Sequence, residues 1–96
     1  MDETRFAHLC GLVQSKGMEI SFRDFTCSEI RWLIDETPFS PTDRKVAVLR
    51  FVENRTYDDI SGRMEWYSNT TTIKHCRFVS EALKRTCFKV FTCRSC

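Results

Sequence analysis

Apolar residues recur along most of this chain at helical spacing. Phe6, Leu9, Cys10 and Val13 stand at i, i+3, i+4 and i+7, and Gly17 follows where a left-handed C-terminal residue is wanted. The pattern predicts an amphipathic helix over about 4–16. Met18, Ile20 and Phe22 then alternate with Glu19, Ser21 and Arg23, a strand-like period of two. Thr26 and Glu29 have the spacing of a capping box, with Phe25 in the staple position, and Ile30, Leu33 and Ile34 form the stripe of a second helix that Pro38 ends. Ser40-Pro41-Thr42-Asp43 is the clearest helix start: an N-cap serine, a proline already fixed at helical φ, and an acidic residue in the first turn.

The third helix should run to about Val52, burying Val46, Leu49 and Val52 with help from Val48 or Phe51. Asn54 falls where a residue tolerant of positive φ is useful. Thr56 with Asp59 caps a short fourth helix, 57–64, which buries Ile60 and Met64. After an irregular turn at 65–68, Ile73, Cys76, Val79 and Leu83 mark a last helix from about 70 to 85. From Thr86 the reading changes, because Phe88 and Val90 alternate with Cys87 and Lys89. The expectation is an all-α fold of four to five helices, with a small two-stranded sheet if 18–23 pairs with 87–91. One domain is expected, with N-terminal helices in 1–39, a helical core in 40–85 and a cysteine-rich tail in 86–96. At 96 residues there is room for one hydrophobic core, since folding at this size buries only about 60–65% of the surface of the unfolded chain.

Charge adds a polarity that the hydrophobic pattern does not show. Residues 1–41 carry four basic against seven acidic side chains, a net −3, and residues 66–96 carry six against one, a net +5. A basic C-terminal third is suited to phosphate, and it is also what a solvated helix face followed by a basic tail would carry. No run is apolar enough for a spanning helix or a signal peptide, so a soluble, cytoplasmic protein is expected.

Two short helices around a turn, followed by a longer helix with a polar face, are what reading of the DNA major groove requires. The run Leu49-Arg50-Phe51-Val52-Glu53-Asn54-Arg55-Thr56-Tyr57-Asp58-Asp59-Ile60-Ser61 resembles region four of bacterial sigma factors, a signature shared by small sigma-like proteins of phages and mobile elements. The resemblance covers Pro41 to Arg85, roughly half the chain. It implies a helix-turn-helix in which Leu49 and Val52 or Phe51 seat the brace, Asn54 stands in for the turn glycine, Thr56 caps, Tyr57 packs and Ile60 enters the core. The step from Met64 to Ile73 departs from the family by roughly two extra residues in the turn.

The resemblance implies a DNA-binding regulator of phage or mobile-element type that contacts duplex DNA and RNA polymerase. Thr70, Thr71, Lys74, His75 and Arg77 lie on the early, polar part of the last helix and are the candidates for the groove. Lys74 or Arg77 would read base edges, and threonine a thymine methyl or a phosphate. Arg44, Arg55, Arg63, Lys84 and Arg85 would meet phosphates, which position the protein without specifying sequence. The alternative is a phage-encoded inhibitor of a host defence nuclease, of anti-CRISPR type, that reuses the scaffold against a protein partner. The longer turn, the acidic N-terminal third and the tail motivate it.

Six cysteines are many for so short a chain. Cys87, Cys93 and Cys96 cluster in the tail, and Cys93-Arg-Ser-Cys96 has the two-residue spacing that lets two thiolates share a tetrahedral zinc. A fourth ligand would come from Cys76, His75, Cys27 or Cys10; free, packed thiols are the plainer reading. No Gly-rich phosphate loop, nucleophile elbow or His-x-Glu pattern occurs, so no enzyme is expected.

Overall fold

The computed structural model describes residues 2–92, apart from the side chains of Met18 and Thr92. Five α-helices make up most of it: α1 (Glu3–Lys16), α2 (Cys27–Glu36), α3 (Pro41–Ala47), α4 (Tyr57–Arg63) and α5 (Asn69–Thr92). Helix α5 is the spine, and α1, α2, α3 and α4 all pack on it. Its 24 residues span about 36 Å at 1.5 Å per residue, which accounts for most of the 45 Å long axis of a molecule 20 × 19 Å across.

Local signals place the helix ends. The Asp2 carboxylate caps α1 by accepting from the Thr4 N–H, and Gly17 closes it at φ +56°. Both halves of the capping box form at α2: Glu29 N–H donates to the Thr26 hydroxyl at 3.2 Å, and Thr26 N–H to the Glu29 carboxylate at 2.8 Å. Ser40 accepts from Asp43 N–H, with Pro41 in the first turn of α3. That helix continues to Val52 as sequence periodicity predicts, but its last stretch, Val48–Val52, is a π-helical turn. Glu53 N–H reaches back to Val48 O at 3.0 Å, Arg55 N–H to Leu49 O at 2.9 Å, and Asn54 sits between them at φ +56°. Asparagine is among the few non-glycine residues that enter this region at low cost.

The structure departs from expectation in the small sheet, in the end of the last helix and in that helix's first buried residue. No strand forms among the described residues, so 18–23 and 87–91 do not pair. The first segment is taken up by 3₁₀ turns at Gly17–Glu19 and Phe22–Asp24, and the second continues α5. Leu83, Cys87 and Phe91, four residues apart, are all buried, so α5 keeps one apolar stripe as far as Phe91, into the segment expected to be a tail. Ile73 is half-buried, while Thr72 is fully buried in the stripe. The core therefore joins Leu9 and Val13 of α1, Ile30, Leu33 and Ile34 of α2, Val46 and Leu49, Ile60 of α4, and Cys76, Val79, Leu83, Cys87 and Phe91 of α5.

One ion pair ties α1 to α2. Arg5 donates Nε and Nη2 to the two oxygens of Glu29 at 2.7 and 3.0 Å, and its Nη2 also reaches Asp24 O. The Arg5 hydrogen bonds hold the Glu29 carboxyl below the usual carboxylate range, against the opposing effect of burial. A depressed folded-state pKa contributes stability that is complete above the unfolded value and disappears as pH falls through the folded one. Glu29→Gln should therefore lower the urea midpoint at pH 7, and its deficit relative to wild type should shrink on acidification to about pH 3, below the ordinary glutamate pKa of roughly 4.3. A deficit of constant size across that range would show that the ion pair contributes nothing.

Candidate nucleic-acid interface

Helix α4 ends in a Schellman arrangement. Trp66 N–H donates to Ser61 O at 2.9 Å and Glu65 N–H to Gly62 O at 3.3 Å, with Glu65 at φ +59°. The motif turns the chain sharply and carries the Trp66 ring onto His75 of α5, stacked at 4.5 Å and 20°. Ser68 then caps α5 by accepting from Thr70 N–H.

Side-chain bonds fasten α4 to the start of α5. The Ser61 hydroxyl donates to Asn69 Oδ1 at 2.8 Å and shares a hydrogen bond with the buried Thr72 hydroxyl, while Asn69 Nδ2 donates to Asp58. Burying Thr72 in an otherwise apolar stripe is tolerable only because Ser61 satisfies its hydroxyl. The first turns of α5 are thereby anchored from beneath, with their outer face left to solvent.

At about 100° per residue, Thr70, Thr71, Lys74 and Arg77 project from one exposed face. Neither Lys74 nor Arg77 forms an ion pair or side-chain hydrogen bond among the described residues. Arg85 lies further along the same face in a loose pair with Glu81 at 3.9 Å, an exposed contact of little energetic consequence. Phe78, 54% exposed, borders Lys74 and His75 on one side and Arg85 on the other, with Asp43 of α3 beside it. Sequence reasoning passed over it, although its place off the buried stripe marks it as outward-facing.

The remaining candidates are dispersed. His75 turns to the flank of α5, where its Nδ1 meets Asp43 Oδ1 at 3.0 Å beneath the Trp66 ring. It thus links α3 to α5. Arg55 is held by Glu53 and Asp59, at 3.3 and 3.4 Å, and Arg63 by the same Asp59 at 3.5 Å. Arg44 pairs with Asp35. Lys84 points to the opposite flank of α5, into a groove with Arg50 and Phe51.

Among the described residues the cysteines are Cys10, Cys27, Cys76 and Cys87. Cys87 is fully buried in the core, and burial pushes its thiol up to about 12; Cys76 is buried too, its thiol also raised by burial. Cys93 and Cys96 lie outside the described residues. Metal ligation by Cys87 would require this buried thiol as a thiolate. No group of three potential ligands capable of holding a metal occurs among the described residues. None of the described helices is long and apolar enough to cross a membrane. Comparisons with known protein families, curated proteins and solved structures gave no match.

Proposed function

We propose that this chain is a small DNA-binding regulator in which α3, α4 and α5 act as a sigma region-four-like helix-turn-helix and the first turns of α5 enter the major groove. The observation that carries the reading is the exposed face of Thr70, Thr71, Lys74 and Arg77, whose two cations are not engaged by carboxylates among the described residues. The Ser61–Thr72 and Asp58–Asn69 bonds beneath it supply the rigid footing that a reading helix needs. Lys74 or Arg77 would donate to guanine O6 and N7, with the threonines against thymine methyls or phosphates. Arg85 is the best placed of the outlying cations to meet a phosphate, because its own pair is loose. Contact with RNA polymerase belongs to this reading as its protein side.

Replacing Lys74 and Arg77 together by alanine should weaken duplex binding in a mobility-shift assay by about 1–3 kcal/mol for each base edge that is no longer read, with helical content unchanged by circular dichroism. Wild-type binding should fall steeply with salt, as phosphate neutralisation demands. A double variant that shifts duplex DNA like wild type would remove α5 from the interface.

A second reading is favoured by Phe78. An exposed aromatic ring bordered by Lys74 and Arg85 has the composition of a protein-binding hot spot. In that reading the same face inhibits a nuclease of the CRISPR type by occupying its nucleic-acid channel. Phe78→Ala separates the two: it should abolish nuclease inhibition under this reading and leave duplex affinity largely intact under the first.

A further inference from the structure

On the flank of α5 opposite His75, a groove of about 780 Å³ opens between the connector at 17–25, the start of α2, the π-turn of α3 and the middle of α5. Its charged lining is three cations, Arg23, Arg50 and Lys84, against Glu19 alone. Arg23 and Lys84 form no ion pair among the described residues. Arg50 is fixed in place: its Nη1 donates to Arg55 O at 3.0 Å and its guanidinium lies 4.5 Å over the Tyr57 ring. That geometry leaves further N–H donors for an anion without the entropy of immobilising the side chain.

The other wall is aromatic. Phe22 and Phe51 meet edge to face at 5.2 Å, both half-buried. Arg50 and Phe51 both belong to the π-turn that ends α3. Its i→i−5 closure adds a residue to the last turn of α3, and single π-turns within helices are frequent at functional sites. Ser80 and Asn54 add neutral hydrogen-bonding groups at the rim.

We propose that this groove binds a nucleoside phosphate, the phosphates meeting Lys84, Arg23 and Arg50 and the base lying against Phe22 and Phe51. The volume falls within the roughly 300–1,000 Å³ of small-ligand sites. Cations alone would suit inorganic phosphate equally well; the aromatic wall is what adds a planar base. Because the groove is set off from the face of Thr70, Lys74 and Arg77, nucleotide binding there does not require that α5 read duplex DNA.

Isothermal titration of the full chain with ATP and AMP, in the absence of DNA, tests it. Both nucleotides should bind, and ATP more tightly than either adenosine or inorganic triphosphate. Arg23→Glu and Lys84→Glu should each weaken ATP binding at least tenfold, with folding checked by circular dichroism. Lys45→Glu, an equal change of net charge at an exposed site on α3, should leave it unchanged. Three results would overturn the proposal: no binding of either nucleotide, binding of triphosphate as tight as ATP, or equal weakening in the Lys45 variant.

Discussion

Phe91→Ala should be among the most destabilising single substitutions in the chain, costing about 3–5 kcal/mol in urea unfolding. The ring is 1% exposed and is the hub of an aromatic cluster. Its centroid lies 5.1 Å from Phe6 and 6.3 Å from both Phe25 and Trp32. Truncation would leave a cavity lined by three rings from α1, α2 and the connector before α2. These cannot collapse together, because each is fixed by its own element. For a domain of this size, a loss of 3 kcal/mol lowers the melting temperature by roughly 12 °C or more, against a total stability of about 5–15 kcal/mol. Lys89→Ala, two residues away on the exposed face, should stay within about 0.5 kcal/mol of wild type. If both variants melted together with wild type, 86–92 would be an appendage and the core would end near Leu83.

The two ends of the chain differ in how far local chemistry determines them. Thr26–Glu29, Ser40-Pro41, Asn54 and Thr56 were legible in the sequence because a cap or a left-handed residue depends on chemistry within a few positions. The end of α5 was not. Phe88 and Val90 do alternate with Cys87 and Lys89, yet Leu83, Cys87 and Phe91 are also spaced i, i+4, i+8. Only the presence of α1 and α2 alongside, with Phe6 and Trp32 facing Phe91, decides between the two periods. The alternation at 18–23 fails for a related reason: 3₁₀ turns can bury Ile20 and half-bury Phe22 as effectively as a strand would, and three residues are too few to tell them apart.

The candidate interface divides along the same line. Thr70, Thr71, Lys74 and Arg77 could be assigned to one face from helical period alone. The places of His75 and Lys84 depend on what packs at each flank of α5, Asp43 and Trp66 on one side and the π-turn of α3 on the other. Periodicity also favoured Ile73 over Thr72 as the first buried residue, because it ranks side chains by hydrophobicity. A hydroxyl partner eleven residues earlier, Ser61, is what makes the buried threonine acceptable, and sequence spacing does not display such pairs.

Ile60→Ala provides the corresponding test at the other end of α5, with an expected cost of about 2–5 kcal/mol. Ile60 is 0% exposed and is the principal apolar anchor of α4, a helix of only seven residues, too short to persist without tertiary packing. Its truncation should loosen α4 from α5 and weaken the polar bonds from Ser61 and Asp58 that depend on its position. Ile73→Ala, at a half-buried site, should cost distinctly less. The two variants together separate a brace formed by α4 from a core running through Ile73. Urea midpoints in which Ile73→Ala falls as far as Ile60→Ala would place the periodicity-based stripe, not Thr72, at the centre of the α4–α5 contact. The expected order, with Ile60→Ala also weakening duplex binding at temperatures where the variant remains folded, would tie recognition by α5 to its footing on α4.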